Sequence, residues 1–218
     1  MLGVALAALG PAEWAYFWVR TWNRGTILLL RAICGIRVEI RGREYIPDGP
    51  ALVAAKHQCM FDAFTPYSQL ARPCVVTKQE LAKLPFIAWY MKRGGLILVV
   101  DRDGHSKALR QMLELGRTAL AEGRQLFIFP EGTRSLPGSP PDYKPGVAAL
   151  YGQLDTPCVP MATNVGAHWV AGQILRRPGV VVFEYLPPIP PGLKRAEFMQ
   201  LLQSRIEGAT NALLESGV

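Results

Sequence analysis

The sequence holds only four cysteines, Cys34, Cys59, Cys74 and Cys158, and no two stand in a CxxC spacing. No histidine set lies near them. That argues against a structural metal site or a disulfide frame and leaves buried free thiols in a reducing compartment. Long charge-poor runs are missing too. No stretch reaches the ~20 apolar residues that a bilayer span needs without a proline or an arginine intruding. The apolar start, Met1 to Gly10, has no basic residues ahead of it and is a poor secretory signal. No GxSxG elbow and no clear third member of a serine triad are present, which disfavours a hydrolase. Acidic residues are scarce, 17 against 24 Lys and Arg, so the formal net charge is +7. The basic residues are scattered and carry no nucleic-acid fold signature. Nucleic acid is therefore not an expected partner, and the charge points to a lipid surface or a phosphorylated substrate.

What is present bounds the architecture. The chain has 218 residues, half of them hydrophobic and 19% charged, which suits one α/β domain with a sizeable core or such a domain plus a small appendage. Aromatics crowd the start: Trp14, Tyr16, Phe17, Trp18 and Trp22. Six arginines against two glutamates give residues 1–43 a charge of +4. Rings interspersed with guanidinium suit an interfacial helix, with the rings at headgroup depth and the arginines on phosphates. An ordinary core-packing helix pair is the other reading, but so many tryptophans are hard to bury in one small core. No composition shift splits the chain after residue 40. The expected organisation is an N-terminal helical membrane-interface segment, 1–36, and one catalytic domain, 37–218.

Along that domain, Val38 to Arg41 alternates as a strand exposed on one face. Pro50 to Ala55 is a short apolar run, expected as a buried strand. A helix is expected from Phe61 to Leu70, a strand over Pro73 to Thr77, and a helix over Gln79 to Met91 that Pro85 should interrupt. Gly95 to Val100 is a further strand. Ser106 to Glu122 is the cleanest helix, with Leu109, Met112, Leu113, Gly116 and Leu120 on one face and Gly123 as its stop. Strands at Gln125 to Phe129, Pro157 to Thr163 and Val180 to Leu186, and helices at Gly146 to Leu154 and Lys194 to Leu214, complete the pattern. Strands alternating with helices predict an α/β fold, a central sheet layered with helices.

The chemistry centres on Lys56-His57-Gln58-Cys59-Met60-Phe61-Asp62. His57 stands where the chain leaves a strand, and a turn can fold Asp62 back onto its ring. A carboxylate on one ring nitrogen fixes the tautomer and leaves the other free to accept a proton, which lets the pair deprotonate an alcohol without a serine nucleophile. The spacing alone also fits a histidine at a strand end beside an unrelated aspartate. Further polar groups fall at strand ends: Lys78, Arg102 and the turn Glu131-Gly132-Thr133-Arg134. The crevice at the carboxyl ends of strands is the usual ligand site of an α/β sheet, and three of these four positions carry a cation suited to an anionic group. In Phe129 to Ser135, Gly132 permits a tight turn, Thr133 can donate a hydrogen bond, and Arg134 can clamp a phosphate bidentately.

Taken together, His57-x4-Asp62 and Phe129-Pro130-Glu131-Gly132-Thr133-Arg134-Ser135 resemble the motifs of the 1-acylglycerol-3-phosphate acyltransferase family (lysophosphatidic acid acyltransferases and other glycerolipid acyltransferases). The resemblance runs from about Val38 to Ile189. It includes Lys78 within Val76 to Leu81, Asp101-Arg102 after an apolar strand, Tyr143-Lys144-Pro145-Gly146, and Val159-Pro160-Met161. It departs at Cys59-Met60-Phe61, where family members often carry serine and then an aromatic, and in the strand before Arg102. The resemblance implies a mixed central sheet and transfer of a fatty acyl group from acyl-CoA or acyl carrier protein to the sn-2 hydroxyl of lysophosphatidic acid. It assigns His57 as general base and Asp62 as its orienting partner. It gives Arg134, Thr133, Glu131, Gly132, Lys78 and Arg102 to binding the substrate phosphate, with Glu131 shaping the turn and ordering Arg134. No metal or redox cofactor is implied. A monotopic or peripheral enzyme on the inner membrane, facing the cytoplasmic leaflet, would meet both lipid acceptor and thioester donor. The rival acceptors are other lysolipids, such as a lyso-ornithine lipid or lysophosphatidylglycerol; the rival class is a non-catalytic membrane-binding protein.

Overall fold

The computed structural model describes residues 12–78, 97–100 and 105–217. Its frame is a seven-stranded sheet. The strands are β1 (Ile36–Arg41), β2 (Ala51–Ala55), β3 (Pro73–Lys78), β4 (Ile97–Val100), β5 (Gln125–Ile128), β6 (Cys158–Thr163) and β7 (Gly179–Tyr185), in the spatial order β1-β7-β6-β2-β5-β3-β4. β2 lies at the centre, parallel to both β5 and β6, and all five of its residues are buried. That double burial is why its sequence is a continuous apolar run rather than an alternating one. β3 and β4 extend the parallel set. β7 reverses against β6, and β1 follows β7 in parallel. The sheet is therefore mixed, as expected, with β1 and β7 running against the other five strands.

Helices cover both faces. The side chains of β2 alternate, so Leu52 and Ala54 face one layer and Val53 and Ala55 the other. On the first face lie α3 (His105–Ala121), α4 (Gly146–Leu154) and α6 (Arg195–Glu215). Phe198, Leu202 and Ile206 of α6 are fully buried there, and each such side chain contributes about 1.5–3 kcal/mol of transfer free energy. Tyr151 of α4 stacks on Phe198 with ring centroids 3.8 Å apart and 7° between planes. The second face is covered by α1 (Ala12–Cys34), the short α2 (Pro66–Gln69) and the sheet's own large side chains.

α1 shares the core of the sheet: Ala15, Tyr16 and Leu30 are buried with Val53, Phe127 and Phe183. Its polar residues also lock it down. The Tyr16 hydroxyl donates to the Pro73 carbonyl at 3.2 Å, and Asn23, fully buried, donates to Ser68 Oγ at 2.8 Å and the Phe64 carbonyl at 3.2 Å. The other side of α1 is apolar and open, with Trp14, Phe17, Trp22, Leu28, Leu29 and Ile33 exposed. Among the described residues no helix is long and apolar enough to cross a membrane.

Most element boundaries agree with the sequence pattern to within a residue or two. One differs in kind. The single helix expected from Phe61 to Leu70 is a 3₁₀ turn, Phe61–Ala63, followed by the four residues of α2. Pro66 has no N–H to give the Asp62 carbonyl, which accepts the Thr65 hydroxyl at 3.0 Å instead, so the chain restarts as the short α2. The helix expected over Gln79 to Met91, the segment Met1 to Gly10, and Arg102 lie outside the described residues.

All four cysteines are free of disulfides, and Cys59, Cys74 and Cys158 are buried. Burial pushes each of these thiols up, that of Cys74 to about 12 despite Arg124, and those of Cys59 and Cys158 further. The thiolate is the reactive form. At pH 8 Ellman's reagent should titrate at most Cys34 in the native protein and all four thiols after unfolding; two or more fast native thiols would contradict the packing. Because the folded thiols keep their protons, their contribution to stability is complete below the unfolded thiol value of about 8.5 and declines as pH rises above it.

Candidate active site

The central strand leads directly into His57. The Lys56 N–H makes the last bond to β6, reaching the Met161 carbonyl at 2.9 Å, and the chain then turns away from the sheet. Asp62 folds back under this turn with no exposed surface. Its Oδ2 accepts from the backbone N–H of Gln58 at 2.5 Å, that of Cys59 at 2.8 Å, and His57 Nδ1 at 3.2 Å. Two amides ahead of the 3₁₀ turn are thus spent on the carboxylate. A carboxylate can only accept, so with this pairing the proton of a neutral imidazole sits on Nδ1. Nε2 is left as the basic nitrogen. The ring is braced from one side by Phe129, stacked at a centroid distance of 4.0 Å and an interplanar angle of 20°. The His57 side chain keeps 16% exposure while Asp62 keeps none, so the pair opens to its surroundings at the histidine.

The second motif holds this turn from the neighbouring strand. β5 pairs with β2 in parallel, so the chain after Ile128 leaves the sheet beside His57. Gly132, at φ +64°, closes a turn whose N–H reaches the Phe129 carbonyl at 3.0 Å. Glu131 is 3% exposed and its carboxylate is fully engaged. Oε2 accepts from the His57 N–H at 3.1 Å; Oε1 accepts from Ser135 Oγ at 2.6 Å and from Lys56 Nζ at 2.7 Å. The Ser135 N–H returns to the His57 carbonyl at 2.8 Å. Both backbone polar groups of His57 are therefore held by one turn. Thr133 and Arg134 stand exposed on the same turn, and Arg134 makes no hydrogen bond or ion pair with a described residue. Lys78 ends β3, two strands from β2 on the same edge; its side chain, like Arg102, lies outside the described residues.

Further residues complete the arrangement. Lys56, 2% exposed, is gripped by two carboxylates: Glu131, and Glu207 of α6 at 2.8 and 3.0 Å. The Tyr143 hydroxyl donates to Glu207 Oε1 at 2.9 Å. Burial, and after it the Glu207 charge, pushes the Tyr143 phenol far up, so it remains a donor. Gln58, fully buried, accepts the Gly166 N–H at 2.8 Å and so ties the turn to α5 (Val165–His168). A Cβ on Gly166 would stand 2.8 Å from Pro137 Cγ and 3.0 Å from Gln58 Cβ, so that approach needs glycine. Lys56 is marked locally as a lysine between an apolar strand and the histidine, whereas Glu207, 151 positions away, carries no local signal.

The arrangement can take a proton from a hydroxyl and return it to a leaving group. It offers no thiol nucleophile: Cys59 is fully buried, and burial together with the Asp62 charge keeps its thiol protonated. A cleft of about 450 Å³ between α1 and β1, lined by Ile27, Arg31 and Val38 among others, contains none of these residues.

Comparison with known proteins identifies the family. Residues 37–164, which contain both motifs, match the family model described as Acyltransferase. The chain is 34% identical over 183 residues to a 1-acyl-sn-glycerol-3-phosphate acyltransferase of Pseudomonas aeruginosa, covering 83% of this chain and 70% of that protein. It is 30% identical over 167 residues to the 1-acyl-sn-glycerol-3-phosphate acyltransferase alpha of Homo sapiens, covering 75% of this chain and 59% of that one. The chain thus spans between about 60% and 70% of the length of these relatives. In fold it is similar to the crystal structure of the 1-acyl-sn-glycerophosphate (LPA) acyltransferase from Thermotoga maritima, with a TM-score of 0.73 at 22% identity over 93% of this chain and 81% of that one. The chain belongs to the 1-acyl-sn-glycerol-3-phosphate acyltransferase family of glycerolipid acyltransferases and is an enzyme of that family.

Proposed function

We propose that the protein moves a fatty acyl group from acyl-CoA or acyl carrier protein to the sn-2 hydroxyl of lysophosphatidic acid, giving phosphatidic acid. The observation that carries this reading is the buried Asp62 on His57 Nδ1, with the neighbouring Cys59 thiol kept protonated by burial and the Ser135 hydroxyl bonded to Glu131. In this mechanism His57 Nε2 takes the hydroxyl proton as the oxygen attacks the thioester carbon. The C–S bond then breaks, and the imidazolium returns the proton to the departing thiolate. Asp62 stabilises the imidazolium formed between the two steps. General-base assistance of this kind is worth about 10²–10⁴-fold. The thioester supplies the activated carbonyl, so the reaction proceeds without metal or redox cofactor.

Arg134 and Thr133 on the exposed turn bind the acceptor phosphate, with Lys78 and Arg102 as further cations. Gly132 gives that turn its shape. The role of Glu131 in this scheme is to hold the turn against His57, because its carboxylate already serves Lys56, Ser135 and the His57 N–H. The acceptor and product are lipids and the donor is water-borne. The enzyme accordingly works as a peripheral or monotopic protein on the inner membrane, its site facing the cytoplasmic leaflet. The open apolar side of α1 supports that attachment.

Purified protein in detergent, given lysophosphatidic acid and a long-chain acyl-CoA or acyl carrier protein donor, should form phosphatidic acid, and His57→Ala should lower the rate by about 10²–10⁴-fold. Product only from a different lysolipid would move the acceptor; equal product from both proteins would remove His57 from the mechanism. Arg134→Ala should lower kcat/KM for lysophosphatidic acid by about 10–100-fold, the worth of a charge-assisted contact, chiefly through KM. An unchanged KM for the acceptor would take the phosphate away from Arg134.

A further inference from the structure

The reversal of β7 has a consequence for what surrounds His57. β7 runs against β6, and β1 runs with β7, Ile36 pairing with Gly179. The starts of β1 and β7 therefore share an edge with the carboxyl ends of β2, β5 and β6. That edge carries the His57 turn, the Glu131–Arg134 turn, the last turn of α1, and the segment from Trp169 to Pro178 that leads into β7. The Gly179 N–H reaches the Gly35 carbonyl at 3.2 Å, which fixes the segment beside the end of α1.

Segment 169–178 is built to hold two aliphatic side chains away from the protein. Ile174 is 93% exposed and Leu175 is 82% exposed. The backbone beneath them is stapled: Arg176 Nη1 donates to the Ile174 carbonyl at 2.9 Å, and the same guanidinium lies 3.9 Å over the Trp169 ring. Trp169 in turn stacks on Phe61 at 5.7 Å and 12°, and Phe61 is the residue before Asp62. The Arg177 N–H is taken by the His168 carbonyl at 2.9 Å, while its side chain is exposed. Ile33 and Leu29 of α1 are exposed around the same corner, with Arg31 and Arg37 between and beside them. Aliphatic tips interleaved with exposed arginines match an anionic lipid surface, where side chains enter the acyl layer and guanidinium groups meet phosphates. A two-residue tip is too small for the core of a stable protein interface.

We infer that segment 169–178 is a second lipid-docking element, separate from α1, which seats Ile174 and Leu175 in the acyl layer with Arg177 at the headgroup phosphates and turns the His57 edge of the sheet toward an anionic membrane. This inference rests on the reading above that the enzyme acts at a lipid surface. Its link to the site is the Arg176–Trp169–Phe61 stack, which joins the docking tip to the turn that carries Asp62.

The test is co-sedimentation of the native full chain and of the variant with Ile174→Asp and Leu175→Asp, using vesicles of phosphatidylethanolamine and phosphatidylglycerol. The variant should partition at least about tenfold more weakly, and a pair of serine substitutions should weaken binding in the same direction without added charge. Turnover of lysophosphatidic acid presented in those vesicles should fall in parallel, while turnover of a monomeric short-chain acceptor stays as in the native protein. Arg177→Ala should weaken binding to these vesicles and leave binding to phosphatidylcholine vesicles unchanged. Native-like partition of the double variants would overturn the inference, as would a change confined to their oligomeric state, which would mark the tip as a protein contact. Absence of phosphatidic acid formation by the native protein in detergent would instead strike the proposed reaction, and the vesicle comparison would still read the docking tip by itself.

Discussion

The site depends on a carboxylate with no access to water. Asp62 Oδ2 collects two backbone amides and one imidazole N–H, all within 3.2 Å. An ionised carboxylate can be kept in the interior only if donors surround it, and here the donors are the turn itself. The same three bonds thus solve two problems: they satisfy a buried carboxylate and they fix the orientation of the His57 ring. They also explain the five-residue spacing. The amides of Gln58 and Cys59 are available because the chain has just left a strand, and the 3₁₀ turn at Phe61–Ala63 is tight enough to bring Asp62 beneath them.

A second charged group anchors that turn to the body of the protein. Lys56 is nearly as buried as Asp62, and it bridges Glu131 on the turn after β5 to Glu207 on α6. Removing either carboxylate would leave the ammonium half-compensated in a dry place, a costly state. Through Glu131 the bridge continues to the His57 N–H, so α6 supports the backbone of His57. Phe129, from the same turn, supports its ring. The site is in this sense made by two adjacent parallel strands, β2 and β5, ending together, with α6 closing the ion cluster from one face and α5 meeting Gln58 at the rim.

Much of this was legible in the sequence because it is governed by local rules. The apolar run from Pro50 to Ala55 reads as a buried strand, and the spacing of Leu109, Met112, Leu113, Gly116 and Leu120 as one face of a helix, and both elements are present. Histidine at a strand end followed by aspartate, and a glycine turn at another strand end, were visible as polar interruptions of apolar patterns. Three features were not legible, each for a physical reason. The helix expected from Phe61 is broken because Pro66 has no N–H for the Asp62 carbonyl, which accepts the Thr65 hydroxyl instead, an exchange that apolar periodicity does not register. The reversal of β7 is a matter of strand direction, and alternation is the same for both directions. The Lys56–Glu207 pair joins residues 151 positions apart, and no local pattern reaches that far.

The central claim is that Asp62 fixes the tautomer of His57 and leaves Nε2 as the base. Imidazole nitrogens report their own protonation through ¹⁵N chemical shifts, and with only three histidines in the chain the signals can be assigned by replacing them one at a time. In the native protein, above the pH at which the His57 ring takes up its second proton, His57 should show a protonated Nδ1 and a bare Nε2, and Asp62→Asn should abolish that fixed preference together with most of the activity. A proton on Nε2 in the native enzyme, or an unchanged preference after Asp62→Asn, would contradict the account.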